Sequence, residues 1–312
     1  MKQRLLTHII IILLLLLSVS SFGQQDPMFT QYMNNPQLIN PAYAGSNGNL
    51  NFNGIFRKQW AGSGIDWAPT TTSLSVNSPF LDYKVGVGLD FMHDDIGPLT
   101  LTGIFTDYAY HVQFKNEATL SLGLKGGFNY YQKNLTGLIT DEYDHYVNEN
   151  LVVEKPLFNV GVGAYYYTEK YFIGASVPTL IKSSLVEAEN TLEMNNRKQQ
   201  HLFLTAGYVF DINTLLKFKP TTMLRMVNGS PVSFELSATA IFVEKVWFGV
   251  MYRFGDAMAV HARFEVKDGF HLGYSYDLTT SDLRPFNAGT HEIFFSYTIK
   301  KSGKRILSPR YF

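Results

Sequence analysis

Apolar residues alternate with polar or small ones through most of this chain, in runs of about ten residues separated by turns. One run presents Leu120, Leu122, Leu124, Gly126, Phe128 and Tyr130 on one parity, with Ser121, Gly123, Lys125, Gly127 and Asn129 on the other. Another presents Phe270, Leu272, Tyr274, Tyr276 and Leu278 against His271, Gly273, Ser275 and Asp277. Strand side chains point to opposite faces with period two, so each run makes a strand with one apolar and one wet face. About ten residues is the length a tilted strand needs to cross a bilayer. The chain therefore reads as all-β, a transmembrane antiparallel β-barrel with an N-terminal periplasmic segment.

The runs predict strands at 49–60, 68–78, 83–94, 99–114, 118–133, 157–168, 171–178, 200–212, 216–228, 231–243, 246–254, 257–266, 269–278 and 290–300. That is fourteen, an even number as bacterial barrels usually have. The connectors add a second test. The long ones, 61–67, 134–156, 179–199 and 279–289, are all odd-numbered, and the even-numbered ones are all short. Barrels keep short turns on the periplasmic side and longer loops outside. Both termini are then expected in the periplasm, with the long loops extracellular. Pro98, Pro156 and Pro231 are expected at strand starts, and Pro220, inside a run, suggests a bulge or a later start.

Composition agrees with a barrel. Aromatic residues make up 15% and charged residues only 17%, low for a soluble surface. There is no cysteine, so no disulfide staples the fold. The formal net charge is zero, which gives no electrostatic case for nucleic-acid binding. Residues 1–23 read as a signal peptide: Lys2 and Arg4, an apolar core from Ile9 to Leu17, then small residues up to Gly23. The expected organisation is signal peptide 1–23, periplasmic or plug segment 24–48, barrel 49–300 and basic tail 301–312.

The wet faces carry Lys84, Asp90, Asp107, His111, Lys125, His201, Lys217, Arg225, Glu235, Arg253, His261, Arg263, His271, Asp277 and Glu292, interleaved with glycines. The mixed signs predict an interior tied by ion pairs. Small residues there leave an open lumen, or room for something that fills it. Residues 24–48 show no alternation and are broken by Pro27, Pro36 and Pro41, with one helical turn expected around Met28–Met33. They carry Met28, Phe29, Tyr32, Met33, Leu38, Ile39 and Tyr43, too apolar for a disordered tail. The segment should pack as a lid on the barrel floor, as a plug in the lumen, or as a docking strip.

That same segment carries a resemblance. Gln25-Asp26-Pro27-Met28-Phe29-Thr30-Gln31-Tyr32-Met33, followed by Asn40-Pro41-Ala42-Tyr43-Ala44-Gly45, resembles the start of the PorP/SprF family of type IX secretion system outer-membrane proteins. Arg57-Lys58-Gln59-Trp60 with Ala68-Pro69-Thr70-Thr71, Asp94-Asp95-Ile96-Gly97-Pro98, Gly273-Tyr274-Ser275-Tyr276-Asp277 and Gly289-Thr290-His291-Glu292-Ile293 extend the likeness to about residue 300. The resemblance implies the outer membrane of Bacteroidota, the type IX secretion and gliding-motility apparatus, delivery of large adhesins through a C-terminal sorting domain, and association with the periplasmic ring. No catalytic residue or cofactor comes with it. The expected partner-binding residues are Asp26, Pro27, Phe29, Gln31, Tyr32, Asn40, Pro41, Tyr43 and Gly45, with the long loops and the tail as further contact surfaces.

Enzymatic readings find little support. His93-Asp94-Asp95 sits at a strand end and reads as a solvated loop. Asp141, Glu142, Asp144, His145 and Glu149 lack the spacing and glycine of an EF-hand. The competing reading is a hydrophobic small-molecule transporter of the fatty-acid type, also fourteen-stranded with an N-terminal plug. A diffusion porin and a soluble β-sandwich adhesin fit less well, the adhesin because its outer faces should be charged. Fold alone does not separate these functions.

Overall fold

A computed structural model of the chain describes residues 27–62, 67–135, 152–181, 200–228 and 230–300. Strand β1 is Leu50–Lys58, β2 Thr70–Phe80, β3 Val85–Ile96, β4 Leu99–Gln113, β5 Thr119–Asn134, β6 Val152–Tyr167 and β7 Tyr171–Val177. Then come β8, His201–Tyr208 continued by Phe210–Asp211, β9 Leu216–Val227, β10 Ser233–Phe242, β11 Val246–Arg253, β12 Ala257–Lys267, β13 Phe270–Thr279 and β14 Thr290–Ile299. Each pairs antiparallel with its neighbour in sequence, and β14 pairs with β1 from Leu50↔Ile299 to Lys58↔His291. The result is a closed barrel of fourteen strands, the architecture the alternation predicts. Closure matters because an unpaired backbone group in lipid would cost several kcal/mol, roughly, per group. Among the described residues no helix is long and apolar enough to cross a membrane.

Connections follow the expected parity. Short turns join the strands at one rim, and the strand ends that flank the connections 59–69, 135–151, 178–200 and 280–289 lie at the other. Two details of the expected strands need correction. First, β6 begins at Val152, so Pro156 lies inside it, opposite Tyr130. β7 is short and pairs with β6 only as far as Val162, so among the described residues Pro156 has a ladder partner on one side only, where a missing N–H is tolerated. Second, Pro220 causes neither a bulge nor a late start. It pairs in register with Ala238, and the ladder to β8 lapses beside it, at Val209.

The outer wall is apolar. Leu122, Leu124, Phe158, Phe248, Val250 and Ile293 are all exposed on it. Rings gather near the rims: at the short-turn end Tyr171 stacks on Tyr208 at 6.3 Å, and Tyr208 meets Phe210 at 4.5 Å. At the other end Phe234 stacks on Phe254 at 5.2 Å. Two aromatic belts flanking an apolar band are the outer surface of a transmembrane barrel. Val250 lies in the middle of β11 on this wall. Val250→Arg should lower unfolding stability by about 2–4 kcal/mol, as charge at the bilayer midplane does. Urea titration in lipid vesicles checks this, and an unchanged midpoint would place that face away from lipid.

Candidate functional site

The lumen holds the N-terminal segment. Phe29, Thr30, Gln31, Tyr32, Met33, Asn35, Gln37 and residues 40–46 are buried inside the ring of strands. In place of one helical turn there are three 3-10 turns, Tyr32–Asn34, Pro36–Leu38 and Pro41–Tyr43. Pro36 and Pro41 each stand at a first helical position, where the missing N–H is free of cost. Asn40 caps the third turn by accepting from the Ala42 N–H at 3.0 Å. The segment starts in the long-loop half of the lumen, at the level of Arg57, Asp277 and Glu292, and runs down to β1 at the short-turn rim.

Ionic and polar anchors hold it at successive levels. Near the top, Glu292 accepts from the backbone N–H groups of Thr30 at 2.7 Å and Gln31 at 3.0 Å. The Thr30 hydroxyl donates to Asp277. Arg57 lies between the two carboxylates, 3.3 Å from Asp277 and hydrogen-bonded to Glu292. All three side chains are at most 4% exposed. Lower down, Asn35 and Ser75 exchange hydrogen bonds of 2.7 and 3.0 Å. Gln37 donates to Asp107 at 3.1 Å and accepts from Asn77 at 2.7 Å. Asp107 is in turn 3.0 Å from Lys125, which also pairs with Asp90. At the lowest level the wall grips backbone: Ser176 donates to the Ile39 carbonyl and Ser121 to the Ala42 carbonyl, each at 2.6 Å.

Apolar contacts fill the gaps between the anchors. Phe29, Tyr32 and Met33 pack with Ile55, Phe203, Met223 and Phe294 of the wall. Tyr43 packs with Tyr165, Tyr167 and Phe172, its ring edge-on to Tyr165 at 5.6 Å. Burial raises the Tyr32 and Tyr43 phenols, Tyr43 to about 12, so both stay neutral. The inner-face glycines explain how a backbone comes so close to the wall. A Cβ on Gly86 would stand 1.8 Å from the Ala44 carbonyl oxygen, and one on Gly123 2.2 Å from the Ala42 nitrogen.

Of the residues expected to bind a partner, Phe29, Gln31, Tyr32, Asn40, Pro41, Tyr43 and Gly45 are buried against the inner wall, and Pro27 is half-buried. Asp26 lies outside the described residues, as do the acidic run Asp141–Glu149 and the tail 301–312. Most residues expected in the lumen are there, but Lys84 is exposed in the β2–β3 turn. Lys217 pairs at the rim with Asp211 at 2.6 Å. His93 and Asp95 pair at 3.2 Å on the outer wall, whereas Asp94 is buried and accepts from Thr71, so the three do not converge. Lys219 and Arg57, both buried, were absent from the expected lumen set. Each follows the inward parity of its strand. So do Ile55, Phe203, Met223 and Phe294, large apolar groups on a face that should be wet. Their presence is the signal in the sequence that something apolar fills the lumen.

A closed barrel with an apolar belted exterior and an ion-paired interior is an outer-membrane β-barrel protein. The structure is similar to the CymD monoaromatic hydrocarbon channel, at 10% identity over 90% of this chain and 96% of that one, TM-score 0.52. It is also similar to the outer membrane protein Omp33 of Acinetobacter baumannii, at 7% identity over 82% of this chain and 100% of that one, TM-score 0.49. At such identities the likeness concerns the fold alone. No curated protein matches the chain. The family model of the type IX secretion system membrane protein PorP/SprF matches residues 21–297, and the chain belongs to that family.

Proposed function

We propose that this barrel is a non-enzymatic outer-membrane component of type IX secretion and gliding motility that binds a secreted cargo protein and delivers it at the cell surface. In this reading the short-turn rim faces the periplasm and the ring of the apparatus, and the long loops face outward. The strip Pro27–Gly45 acts from inside: it occupies the lumen, with Pro27 toward the long loops.

The observation that carries the reading is a lumen filled by a segment anchored around the wall, in a chain of a secretion-system family. Such a lumen favours protein binding at the rims over diffusion through the middle. The transporter reading needs an apolar passage. A cavity of about 400 Å³ beside the segment is lined mainly by polar and charged side chains.

Cross-linking of tagged protein in native outer membranes, with mass spectrometry of what is captured, tests the proposal. Periplasmic ring subunits or a large surface adhesin are the expected catch. Capture of the barrel alone, with bound fatty acid or another hydrophobic small molecule, would overturn the secretion reading in favour of transport.

A further inference from the structure

Beneath the N-terminal segment, the 400 Å³ chamber opens at the short-turn rim. Its size lies within the range of small-ligand pockets, roughly 300–1,000 Å³. Arg263 of β12 lines it, with its guanidinium 4.1 Å over the Trp247 ring. One Arg263 nitrogen donates to Asn34 at 3.0 Å. Glu265, Glu244 and Asp268 also line the chamber and Glu265 acts on the Arg263 charge, but among the described residues no carboxylate is within ion-pair distance of Arg263, whereas Arg57, Lys125 and Arg253 in the same lumen are each paired with carboxylates. Stacking on an aromatic face leaves the donors on a guanidinium edge free for an anion.

Two and three strands along the same wall runs a ladder of amides and hydroxyls. Asn51 and Asn53 on β1 stand in register with Thr298 and Ser296 on β14, and all four line the chamber. Asn51 is held by neighbours, accepting from Thr298 at 2.9 Å. Asn53 is only 8% exposed, and its amide has no hydrogen-bond partner among the described residues. Residues two apart on a strand repeat at about 6.7 Å, the same repeat as an extended peptide. A peptide lying along β1 would therefore meet a polar side chain at every second residue.

We infer that this chamber binds the carboxylate end of a short extended peptide, with Arg263 holding the carboxylate and Asn53 the main chain. The inference goes beyond the cargo reading and stands without it, because the chamber opens at the short-turn rim whichever compartment that rim faces.

Fluorescence polarisation with the purified full chain in detergent micelles tests it, using N-terminally labelled tetra-alanine as a free acid and as its C-terminal amide. The acid should bind, and amidation should weaken it by about tenfold or more. Arg263→Gln should weaken the acid to the level of the amide and leave the amide unchanged. Asn53→Ala should weaken both forms by the same factor. Equal binding of acid and amide, no binding of the acid, or displacement of the acid by glucuronate as readily as by unlabelled peptide would each overturn the inference. Arg263 also touches the N-terminal segment, so folding is checked by heat-modifiable migration. If Arg263→Gln does not fold, the acid-against-amide comparison and Asn53→Ala still decide between binding and its absence.

Discussion

Arg57→Met should destabilise the barrel by about 3–5 kcal/mol, because it leaves two buried carboxylates facing one another without the cation that bridges them. Asp277 and Glu292 are almost wholly shielded from water, and Arg57 bridges them. Methionine fills most of the volume, so lost packing contributes little and lost charge dominates. The same change should loosen the segment, because Glu292 also accepts from the Thr30 and Gln31 backbone. Urea unfolding in micelles measures the loss. The control is a triple variant, Arg57→Met with Asp277→Asn and Glu292→Gln, which removes the stranded charge. It should recover a large part of the stability even though it carries more substitutions. If the triple variant is no more stable than Arg57→Met alone, charge pairing is not what Arg57 contributes.

Gly86→Val should expel the lower part of the segment from its seat. A side chain there would collide with the Ala44 carbonyl oxygen, a backbone atom that no rotamer change can move. Overpacking of a core costs about 1–3 kcal/mol where side chains can shift, and more where they cannot. The readout uses the absence of cysteine in the chain. Ser46→Cys places a single thiol at a position now 3% exposed, near the end of the segment. Maleimide should label it slowly in the parent and about tenfold faster with Gly86→Val, in proportion to the population of the opened state. Gly126→Val is the internal control, since nothing lies within 4 Å of a Cβ there. Unchanged labelling with Gly86→Val would mean that the segment does not seat against β3 as described.

Much of the barrel could be read in advance because its forces are local and periodic. The outer parity of each strand is apolar for about ten residues at a time, and the parity of long and short connectors follows from alternating strand direction. Where a rule of thumb met the real ladder, the sheet prevailed. Pro156 was accommodated within β6, and Pro220 cost one lapse in pairing with no shift of register. Lys84 fell outside the lumen because the hairpin turns through Leu81, Asp82 and Tyr83, all with positive φ, and β3 begins only at Val85.

The site was legible only as scattered parts. The motif residues Thr30, Arg57, Asp277 and Glu292 are distant in sequence, Arg57 and Glu292 by 235 positions, yet they form one buried cluster. Sequence alone determined that this chain makes fourteen strands with lipid on one side, and that residues 24–48 must pack on something, because periodicity and apolar content are properties of short stretches. Tertiary structure alone decided what that something is. Only closure of β14 on β1 brings the carboxylates of Asp277 and Glu292 beside Arg57 of the first strand, and so creates the anchor that Thr30 and Gln31 occupy.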